Sequence, residues 1–443
     1  MKRITLLLLS FFSLHQLGAQ CIIDISPGVT ENLNSVFFID AINGIAVGDN
    51  GQIIITNNGG TTWNTTTNAH TGQNFNGVFM ASPDEAWVVG DGGIIRYTTD
   101  GGSTWQQQYS PTTCHLTDVH FMGGNGIIVG ECGIILKFDP VNDVWTSVRT
   151  TSTENFHLIR FIDDDTAFIA GANGTLFKTT DAGVSCSAVP SPTTFHIVGF
   201  EIMGNNGYLS DANGNLFLSN DGGATWPVQA TAGSPANAIA AFAPNQAIAV
   251  GPLGFVSKTN NAGNDWETLT NPAINGDLSG ATFPGPVTGY AVGANGLVVK
   301  ILFLEIEAMA DSLVCNGSPV SLAIDGPGIA ATYLWSGPNY SSNEQNPTFN
   351  AAGNNSGQYI ATADVSGCTT SDTLNLTVVS LPSAAAAGVD LSCDSNTNVI
   401  QGNSSSQNVG YEWQFMGNVF SNQQNPSVSE PGTYILTVTD ANG

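Results

Sequence analysis

Charged residues are scarce in this sequence, and basic residues are the scarcest. Charged side chains make up 10% of the 443 residues, and nine Lys and Arg stand against thirty-five Asp and Glu, for a formal net charge of −26. An excess of negative charge on this scale repels phosphate backbones and anionic lipid headgroups. We therefore expect no nucleic-acid partner.

Long apolar runs are also rare. The clearest one opens the chain, where a basic start and an apolar run over residues 4–14 lead to a small-residue exit at 17–19. This run is about half of the ~20 residues needed to cross a bilayer, and its layout is that of a cleaved secretory signal. We expect a signal peptide at 1–19, a secreted or cell-surface protein, and no membrane span. A lipid anchor on Cys21 is the alternative, but the residue before a lipobox cysteine is small, and here it is Gln20.

Helical periodicity is a third missing feature. We find no helix-length window with apolar residues every 3.6 positions, whereas Asn, Thr and Ser are abundant and 51 residues are Gly. This balance is typical of short strands joined by tight turns. The chain is therefore predicted to be all-β and, at its length, to form two or more domains.

A motif that recurs about every forty residues is the main positive signal. In each copy an apolar strand runs into a turn that closes on a glycine, and these glycines are spaced 42, 40, 41, 40, 40 and 42 residues apart. They are Gly51, Gly93, Gly133, Gly174, Gly214, Gly254 and Gly296. With the strands around each copy, the period fits four-stranded β-propeller blades. We predict a seven-bladed β-propeller over residues 20–303, closed by residues 21–25 as the outer strand of the last blade.

The turn after the third strand of each blade is the most specific signal. It reads Thr-Thr-Asp-Gly-Gly-Ser-Thr-Trp over residues 98–105, with similar octets at 56–63 and 219–226 and degenerate ones at 179–186 and 259–266. These turns resemble the Asp-box, or BNR, repeat of sialidase-like propellers. Blade three keeps only Asp143 and Trp145, and blade seven lacks the turn.

Together with the glycine motif, these turns resemble the photosystem II stability and assembly factor family, over about residues 30–302. The resemblance implies that the Asp or Asn caps the turn and that the Trp packs between blades. The residues concerned are Asp100, Trp105, Asp221, Trp226, Asn58, Trp63, Asp181 and Trp266. It also implies a scaffold that binds other proteins.

After residue 303 the pattern changes to two segments that resemble each other. Cys315 precedes Trp335 by twenty residues and Cys393 precedes Trp413 by twenty, and each Trp is followed by Gln-Asn-Pro and a Gly-x-Tyr. The pattern resembles the Ig-like and PKD-like repeats of Bacteroidetes surface proteins. It implies Ig-like β-sandwich modules at 304–381 and 382–443, the second truncated, and a sorting domain for type IX secretion beyond them.

Two disulfides are predicted. Cys114 and Cys132 lie symmetrically about residue 123, the centre of a predicted hairpin whose cross-strand neighbours can meet disulfide geometry, with free thiols as the alternative. Cys315 and Cys368 are the natural partners within the first tail module. The pairing of three further cysteines stays open: Cys21, Cys186 and Cys393.

The sequence does not assemble an enzyme site. A sialidase holds its substrate carboxylate with three arginines on the funnel, but only three follow residue 19, and Arg96 falls in a third strand away from the funnel. Paired carboxylates for glycoside hydrolysis are harder to exclude, yet the acids fall in turns or recur by blade. We predict no enzyme activity, with a glycan-active hydrolase that uses funnel-face carboxylates as the alternative.

One polar cluster on the inner strands is a candidate ligand site. When these strands are aligned on their Phe residues, His157 and His196 fall at the same position in neighbouring blades, and Asp118, His120 and Arg160 lie on the same set of strands. Inner strands line a propeller channel, so these side chains can surround a ligand. Two His and one Asp are also a weak metal pattern, but ordinary channel lining explains them better, and we expect no metal and no cofactor.

The function predicted from the sequence is extracellular binding. The propeller of a monomeric, secreted or cell-surface protein presents a surface to an extracellular protein or glycan, and the tail acts as a spacer or adhesive stalk. The acidic surface and modular tail depart from factors that act at photosynthetic membranes, so the propeller is shared but the partner is not. A purely structural segment of a large adhesin is a further alternative.

Overall fold

The computed structural model describes residues 20–66, 72–149, 152–230, 232–326, 329–380, 383–389 and 397–440. The predicted signal peptide and Cys393 lie outside these ranges. The chain divides into a compact unit over Ala19–Leu304 and another that contains Glu305–Gly443. The regular elements within the described ranges are strands and three-residue 3-10 turns, so the all-β prediction is confirmed.

Seven four-stranded antiparallel sheets make up the first unit in its described residues. We number these sheets as blades in chain order. The strands are β1 Gln20–Asp24; in blade 1, β2 Leu33–Phe38, β3 Gly44–Gly48, β4 Ile53–Thr56 and β5 Asn64–Thr65; in blade 2, β6 Phe75–Met80, β7 Ala86–Gly90, β8 Ile95–Thr98 and β9 Gln106–Gln107; in blade 3, β10 Leu116–Met122, β11 Asn125–Gly130, β12 Ile135–Asp139 and β13 Val144–Val148; in blade 4, β14 Phe156–Phe161, β15 Ala167–Gly171, β16 Leu176–Thr179 and β17 Ser187–Ala188; in blade 5, β18 Ile197–Met203, β19 Asn206–Asp211, β20 Leu216–Ser219 and β21 Val228–Ala230; in blade 6, β22 Ala238–Ala243, β23 Gln246–Val250, β24 Val256–Thr259 and β25 Glu267–Leu269; and in the last blade, β26 Leu278–Gly285, β27 Thr288–Gly293 and β28 Val298–Phe303.

The blades close into a ring. The first strand of each blade contacts the first strand of the next, and β26 contacts β2. The N-terminal strand β1 completes the last blade, with Gln20 opposite Phe303 and Asp24 opposite Val299. The predicted closure by the N-terminal segment is therefore confirmed, and β28 has no free edge.

The glycine motif is explained by close contact between blades. In blade 1, the turn after β3 holds Asn50 at φ 54° and Gly51 at φ 76°, in the left-handed region that favours glycine. In blade 4, a β-carbon on Gly174 would collide with the carbonyl of Thr193, in the segment that leads into blade 5. The forty-residue period thus marks the points where one blade's turn touches the backbone of the next.

The Asp-box turns share one hydrogen-bond pattern. In blade 2 the Thr98 hydroxyl accepts from the N–H of Gly102 at 2.9 Å and donates to Asp100 Oδ1 at 2.8 Å. Asp100 also accepts from the N–H and hydroxyl of Thr104, at 2.8 and 2.7 Å. The bond from the hydroxyl to the Asp or Asn side-chain oxygen and the cap of the turn's N–H recur at Asn58, Asp181, Asp221 and Asn261. The capping role implied by the resemblance is therefore observed.

The Asp-box tryptophans pack between blades. Trp105 of blade 2 lies against a core formed by blades 1 and 2, and Trp226 against one formed by blades 4 and 5. Trp266 and Trp63 occupy the same place between blades 5 and 6 and between the last blade and blade 1. Each Asp box therefore joins its own blade to the preceding one.

The tail unit is built from shorter strands. Its first part contains a five-stranded sheet in the order β30-β37-β36-β33-β34 and the strand pairs β29-β32 and β31-β35, and its second part contains the pairs β38-β40 and β39-β43 and the sheet β42-β41-β44. The bounds are β29 Glu307–Met309, β30 Leu313–Cys315, β31 Pro319–Ser321, β32 Ala323–Asp325, β33 Thr332–Gly337, β34 Tyr340–Ser342, β35 Thr348–Asn350, β36 Gly357–Val365, β37 Cys368–Val379, β38 Ala384–Ala387, β39 Asn398–Val399, β40 Gln401–Ser404, β41 Gly410–Phe415, β42 Asn418–Ser421, β43 Ser427–Val428 and β44 Tyr434–Thr439.

The predicted bond between Cys315 and Cys368 is wrong. Cys315 ends β30 opposite Val379, the last residue of β37, whereas Cys368 is the first residue of that twelve-residue strand. At ~3.3 Å per residue, the two ends of β37 are roughly 35 Å apart. Cys315 is a free thiol, and Cys368 is disulfide-bonded to a different partner.

The predicted bond between Cys114 and Cys132 is present, with the Cα atoms 6.3 Å apart. Cys114 precedes β10 and Cys132 lies in the turn after β11, so the bond extends the hairpin. The two cysteines are 18 positions apart in the chain, and closing a loop of this size contributes about 3 kcal/mol in the chain-entropy model. We expect Cys114→Ser to lower the free energy of unfolding of the propeller by about that amount, measured by denaturant unfolding of the full chain. The matched control is Cys186→Ser, which alters a free cysteine; equal midpoints for the two variants would contradict the prediction.

The Asp-box hydroxyl gives a second stability prediction. Thr98 is 2% exposed and accepts the N–H of Gly102, so Thr98→Val keeps the shape of the side chain but removes that acceptor. We expect the free energy of unfolding to fall by about 1 to 3 kcal/mol, measured by denaturant unfolding. Thr61→Val is the control, because the exposed Thr61 hydroxyl only donates to the Asn58 carbonyl. An equally large loss of unfolding free energy in this variant would mean that burial of the Thr98 hydroxyl does not cause the loss in Thr98→Val.

Candidate functional site

The first strands of all the blades enclose a central cavity of about 500 Å³. Three of its charged side chains come from consecutive blades: Asp118 on β10, Arg160 on β14 and Glu201 on β18. His120 and His157 also line it. The candidates that the sequence places on inner strands thus meet at the channel, with the exception of His196.

A β-bulge near the start of the first strand explains many polar residues in the channel. In β2, Leu33 pairs with Gly48 and Ser35 with Val47, so Asn34 is the extra residue. Asn34 and the corresponding Asn76 and Thr117 donate to the carbonyl of the residue that opens the next blade's first strand, at 3.0, 2.9 and 2.9 Å. This layer of polar lining therefore holds neighbouring blades together.

The predicted equivalence of His157 and His196 is wrong. His157 is the bulged residue of β14, whereas His196 is exposed and precedes β18. His196 Nδ1 accepts the N–H of Asn173 from the preceding blade at 3.3 Å. Alignment on Phe fails because these residues occupy different register positions in different blades. The two imidazole rings nevertheless lie 6.2 Å apart.

Arg160 organises the charged group. Its Nη1 donates to Asp118 Oδ2 and to the carbonyl of Ile159, both at 2.7 Å, and its Nε donates to Glu201 Oε2 at 3.3 Å. Asp118 also accepts the N–H groups of Val119 and Ile159, at 2.9 and 3.0 Å. The side chains of Arg160, Asp118 and Glu201 are 21%, 11% and 18% exposed, so the group stays open to the cavity.

Burial and charge set the protonation of this group. Burial raises the pKa of Asp118 and of Glu201 above the usual range, and the Arg160 charge only partly offsets it. The two carboxylates outweigh desolvation at Arg160 and raise its pKa. Burial, with the Arg160 charge, lowers the pKa of His120 to about 3. With both carboxylates ionised, the group carries a surplus negative charge beside a neutral imidazole.

The arrangement is suited to binding. His120 is neutral near pH 7 and does not titrate in the range that a general acid or base needs. Its Nδ1 is buried and finds no hydrogen-bond partner among the described residues, so the channel wall holds an unpaired polar atom. Among the described ranges, no three His, Cys, Asp or Glu side chains are grouped to hold a metal ion.

Glu201 is a site residue that the sequence reasoning missed. It lies 41 residues after Arg160, at the same register position one blade later, opposite Tyr208 as Arg160 is opposite Phe168. A comparison of residues about forty positions apart would therefore have identified Glu201. Alignment on the Phe residues instead placed Arg160 and Glu201 at different positions.

Blades 2 and 3 are joined by an ion pair at the position where blades 1, 2 and 4 carry an asparagine. Asn74 and Asn155 precede the first strands of blades 2 and 4 and accept an N–H from the preceding blade's turn at 3.1 Å each. His115 takes this place before β10, and its Nδ1 lies 2.7 Å from Asp91 Oδ1. That bond raises the pKa of His115 despite desolvation. Desolvation raises the pKa of Asp91, but hydrogen bonds from Asn76 and His115 outweigh it and lower the pKa overall.

This pair predicts a pH dependence of stability. Because the pKa of His115 is raised, its contribution is complete below the unfolded value of about 6.5 and is lost as pH rises through the folded pKa. The lowered pKa of Asp91 keeps the pair intact down to acid pH. The His115 side chain is 49% exposed, so solvent screening limits the gain to about 1 kcal/mol or less.

We expect wild type to lose more stability between pH 5.5 and 8.5 than His115→Asn, which gives blade 3 the asparagine that blades 1, 2 and 4 carry at this position. Thermal unfolding midpoints of both proteins at the two pH values measure this difference. The same pH dependence in both proteins would show that the ion pair contributes nothing.

These features define a propeller with BNR-type turns and a polar central channel. Residues 22–111 and 139–302 match the family described as Photosynthesis system II assembly factor YCF48, and the chain belongs to that family. This is a family of assembly factors, in agreement with the prediction that the chain is not an enzyme. No helix in the described part of the chain is long and apolar enough to span a bilayer.

The similarities to individual proteins are distant. The Photosystem II assembly lipoprotein Ycf48 of Synechococcus sp. (strain CC9902) is 25% identical over 154 residues, 33% of this chain and 46% of that protein, so the chain spans about half the length of this curated relative. A structure of YCF48 bound to D1 peptide matches 64% of this chain and 97% of its own at 18% identity and a TM-score of 0.56. YCF48 from Cyanidioschyzon merolae matches 63% and 98% at 18% identity and 0.53, and the WD40 propeller domain of Doa1 matches 65% and 97% at 12% identity and 0.52. These structures support the propeller fold.

Proposed function

We propose that this chain is a secreted or cell-surface scaffold whose seven-bladed propeller holds a segment of a partner protein at the channel. The observation that carries the proposal is the central cavity, where two carboxylates share one guanidinium and the buried Nδ1 of His120 lacks a partner among the described residues. Such a cavity accepts hydrogen-bond donors and positive charge.

Membership of an assembly-factor family supports a protein partner. One solved relative is a YCF48 with a bound D1 peptide, and we propose a peptide ligand here as well, from a different partner. The net charge of −26 favours a basic partner surface, because complementary charge steers association. The hydrolase alternative gains no support from the family.

We further propose that the tail consists of two Ig-like modules that act as a spacer. The two parts share a local arrangement that supports a common fold. The indole N–H of Trp335 donates to the carbonyl of Gln345 at 3.1 Å, and that of Trp413 donates to the carbonyl of Gln424 at 3.3 Å. Both glutamines belong to the Gln-Asn-Pro sequence, which explains why that motif recurs with the Trp.

A channel-filling variant tests the proposed function. Thr282 lies at the register position where blades 1 and 2 carry Phe37 and Phe79, so Thr282→Phe introduces a ring that the fold already accepts there. We expect peptides selected from a random dodecamer library on the full chain to bind this variant at least about tenfold more weakly, a loss of roughly 1.4 kcal/mol. Isothermal titration calorimetry measures the affinities.

The matched control is Gln106→Phe, which adds the same ring to an exposed residue of β9. Its affinity is expected to equal that of wild type. Peptide binding that is insensitive to Thr282→Phe would place the site outside the channel, and binding of arrayed glycans without any selectable peptide would replace the protein partner by a carbohydrate.

A further inference from the structure

The cleft between blades 2 and 3 lacks the Asp-box turn that covers five of the seven clefts between blades. In blades 2 and 6 the second glycine of the Asp box packs on the third residue of the preceding blade's third strand, Gly102 on Ile55 and Gly263 on Leu218. Tyr97 is the third residue of β8 in blade 2. Blade 3 joins β12 to β13 by a short turn capped by Asp139, so no Asp box covers Tyr97.

A cavity of about 420 Å³ occupies this place, and we call it the blade 2–3 cavity. Its walls are largely apolar and include five aromatic side chains, and two carboxyl groups line it as well. The residues that matter here are Trp87, Tyr97, Phe121, Phe138, Glu85 and Asp143. Phe138 and Tyr97 are partly exposed, whereas Trp87 and Phe121 are buried.

Hydrogen bonds hold these walls in place. The Tyr97 hydroxyl donates to Glu85 Oε1 at 2.5 Å, and Gln108 Nε2 donates to Asp143 Oδ1 at 2.9 Å. Gln108 Oε1 in turn accepts the indole N–H of Trp87 at 3.2 Å and that of Trp145 at 2.9 Å. The cavity is therefore organised before any ligand arrives.

The two carboxylates have no basic partner within the described part of the chain, where the ion pairs involve other acids. Both acids act on the Tyr97 hydroxyl in the cavity wall. Burial raises the pKa of Tyr97, and the hydrogen bond to Glu85 and the charge of Asp143 raise it further. An aromatic cavity with two unpaired carboxylates is complementary to a cation on an apolar stem.

The chain's own lysines indicate which cation fits this position. All four lysines after residue 19 are the third residue of a third strand, the position that Tyr97 holds in blade 2; they are Lys137, Lys178, Lys258 and Lys300. Two of them donate to carbonyls of the next blade's Asp box, Lys137 to Ala182 at 2.9 Å and Lys300 to Gly59 at 3.2 Å.

Lys258 is the most informative of the four. It faces the last blade, which also lacks an Asp box, and its Nζ lies 5.1 Å from the ring centroid of Phe303. The chain thus supplies a lysine to an aromatic wall at one uncovered cleft. At the other, between blades 2 and 3, it supplies the aromatic wall and the acids but no lysine.

We infer that the blade 2–3 cavity binds a lysine side chain of a partner protein segment. The alkyl stem lies along Tyr97 and Phe138, and the ammonium group meets Glu85 and Asp143. This site rests on the proposed protein-binding function and adds a second contact outside the channel.

The test uses the full chain and three acetylated, amidated tripeptides: Gly-Lys-Gly, Gly-Arg-Gly, and Gly-norleucine-Gly, which keeps an alkyl stem without the charge. Titration calorimetry or ligand-observed NMR is expected to show binding of the lysine tripeptide at least about tenfold tighter than that of the norleucine tripeptide. Glu85→Gln and Asp143→Asn are each expected to weaken lysine binding about fivefold or more. If the arginine tripeptide also binds, and Glu85→Gln and Asp143→Asn weaken its binding in the same way, this result would support the same cavity as the binding site.

Two further variants guard against misfolding and unspecific charge effects. Tyr97→Lys gives blade 2 the lysine that four other blades carry, so it is expected to fold and to abolish tripeptide binding by placing its own ammonium group beside Glu85 and Asp143. Asp84→Asn removes the same charge from the exposed neighbour of Glu85 and is expected to leave binding unchanged.

Equal binding of the lysine and norleucine tripeptides, or lysine binding that survives Glu85→Gln, Asp143→Asn and Tyr97→Lys, would overturn this site. The outcome is separable from the proposed function. Library peptides that remain sensitive to Thr282→Phe while lysine binding fails would leave the channel as the binding site and remove only the blade 2–3 cavity.

Discussion

Contact between the turn of one blade and the backbone of the next is the constraint on which the rest of the propeller depends. At five of the seven junctions the turn after the second strand donates an N–H to a side chain that precedes the following blade, and the last of these bonds joins Asn295 to Asn32 at 3.0 Å. The bulged polar residues and the Asp-box tryptophans add two further layers of contact between the same neighbours. These contacts join neighbouring blades to one another. They therefore stabilise the ring although its strands are short and few of its residues are charged.

The sequence predicts the features that repeat, because repetition reveals them without knowledge of register. The glycine period, the Asp-box turns, the closing role of the N-terminal strand and the bond between Cys114 and Cys132 all follow from spacing and turn chemistry. Most of these features depend on residues that are close together in the chain or on a regular spacing along the chain. The closing strand is the exception, and it is inferred because the last blade lacks an outer strand of its own.

What the sequence does not predict depends on register. The bulge in each first strand shifts the residues that face the channel, so alignment on Phe misplaces His196 and overlooks Glu201. In the tail, the distance between Cys315 and Cys368 depends on the parallel pairing of β30 with the far end of β37. No local sequence pattern predicts this pairing. The blade 2–3 cavity appears only when the missing Asp box of blade 3 is placed beside the strand that it would have covered.

The pairing of β1 with β28 also constrains the order of folding. Ser26 accepts the N–H of Val298 across 272 residues, whereas each Asp-box turn closes within a few positions. Contacts of such long range impose the largest loop-closure cost and form late. Single blades can therefore become ordered as the chain emerges, but the ring stays open until its final strand is available. A chain cut short before residue 298 would expose β27 as an unpaired edge, the kind of surface from which strand-mediated aggregation starts.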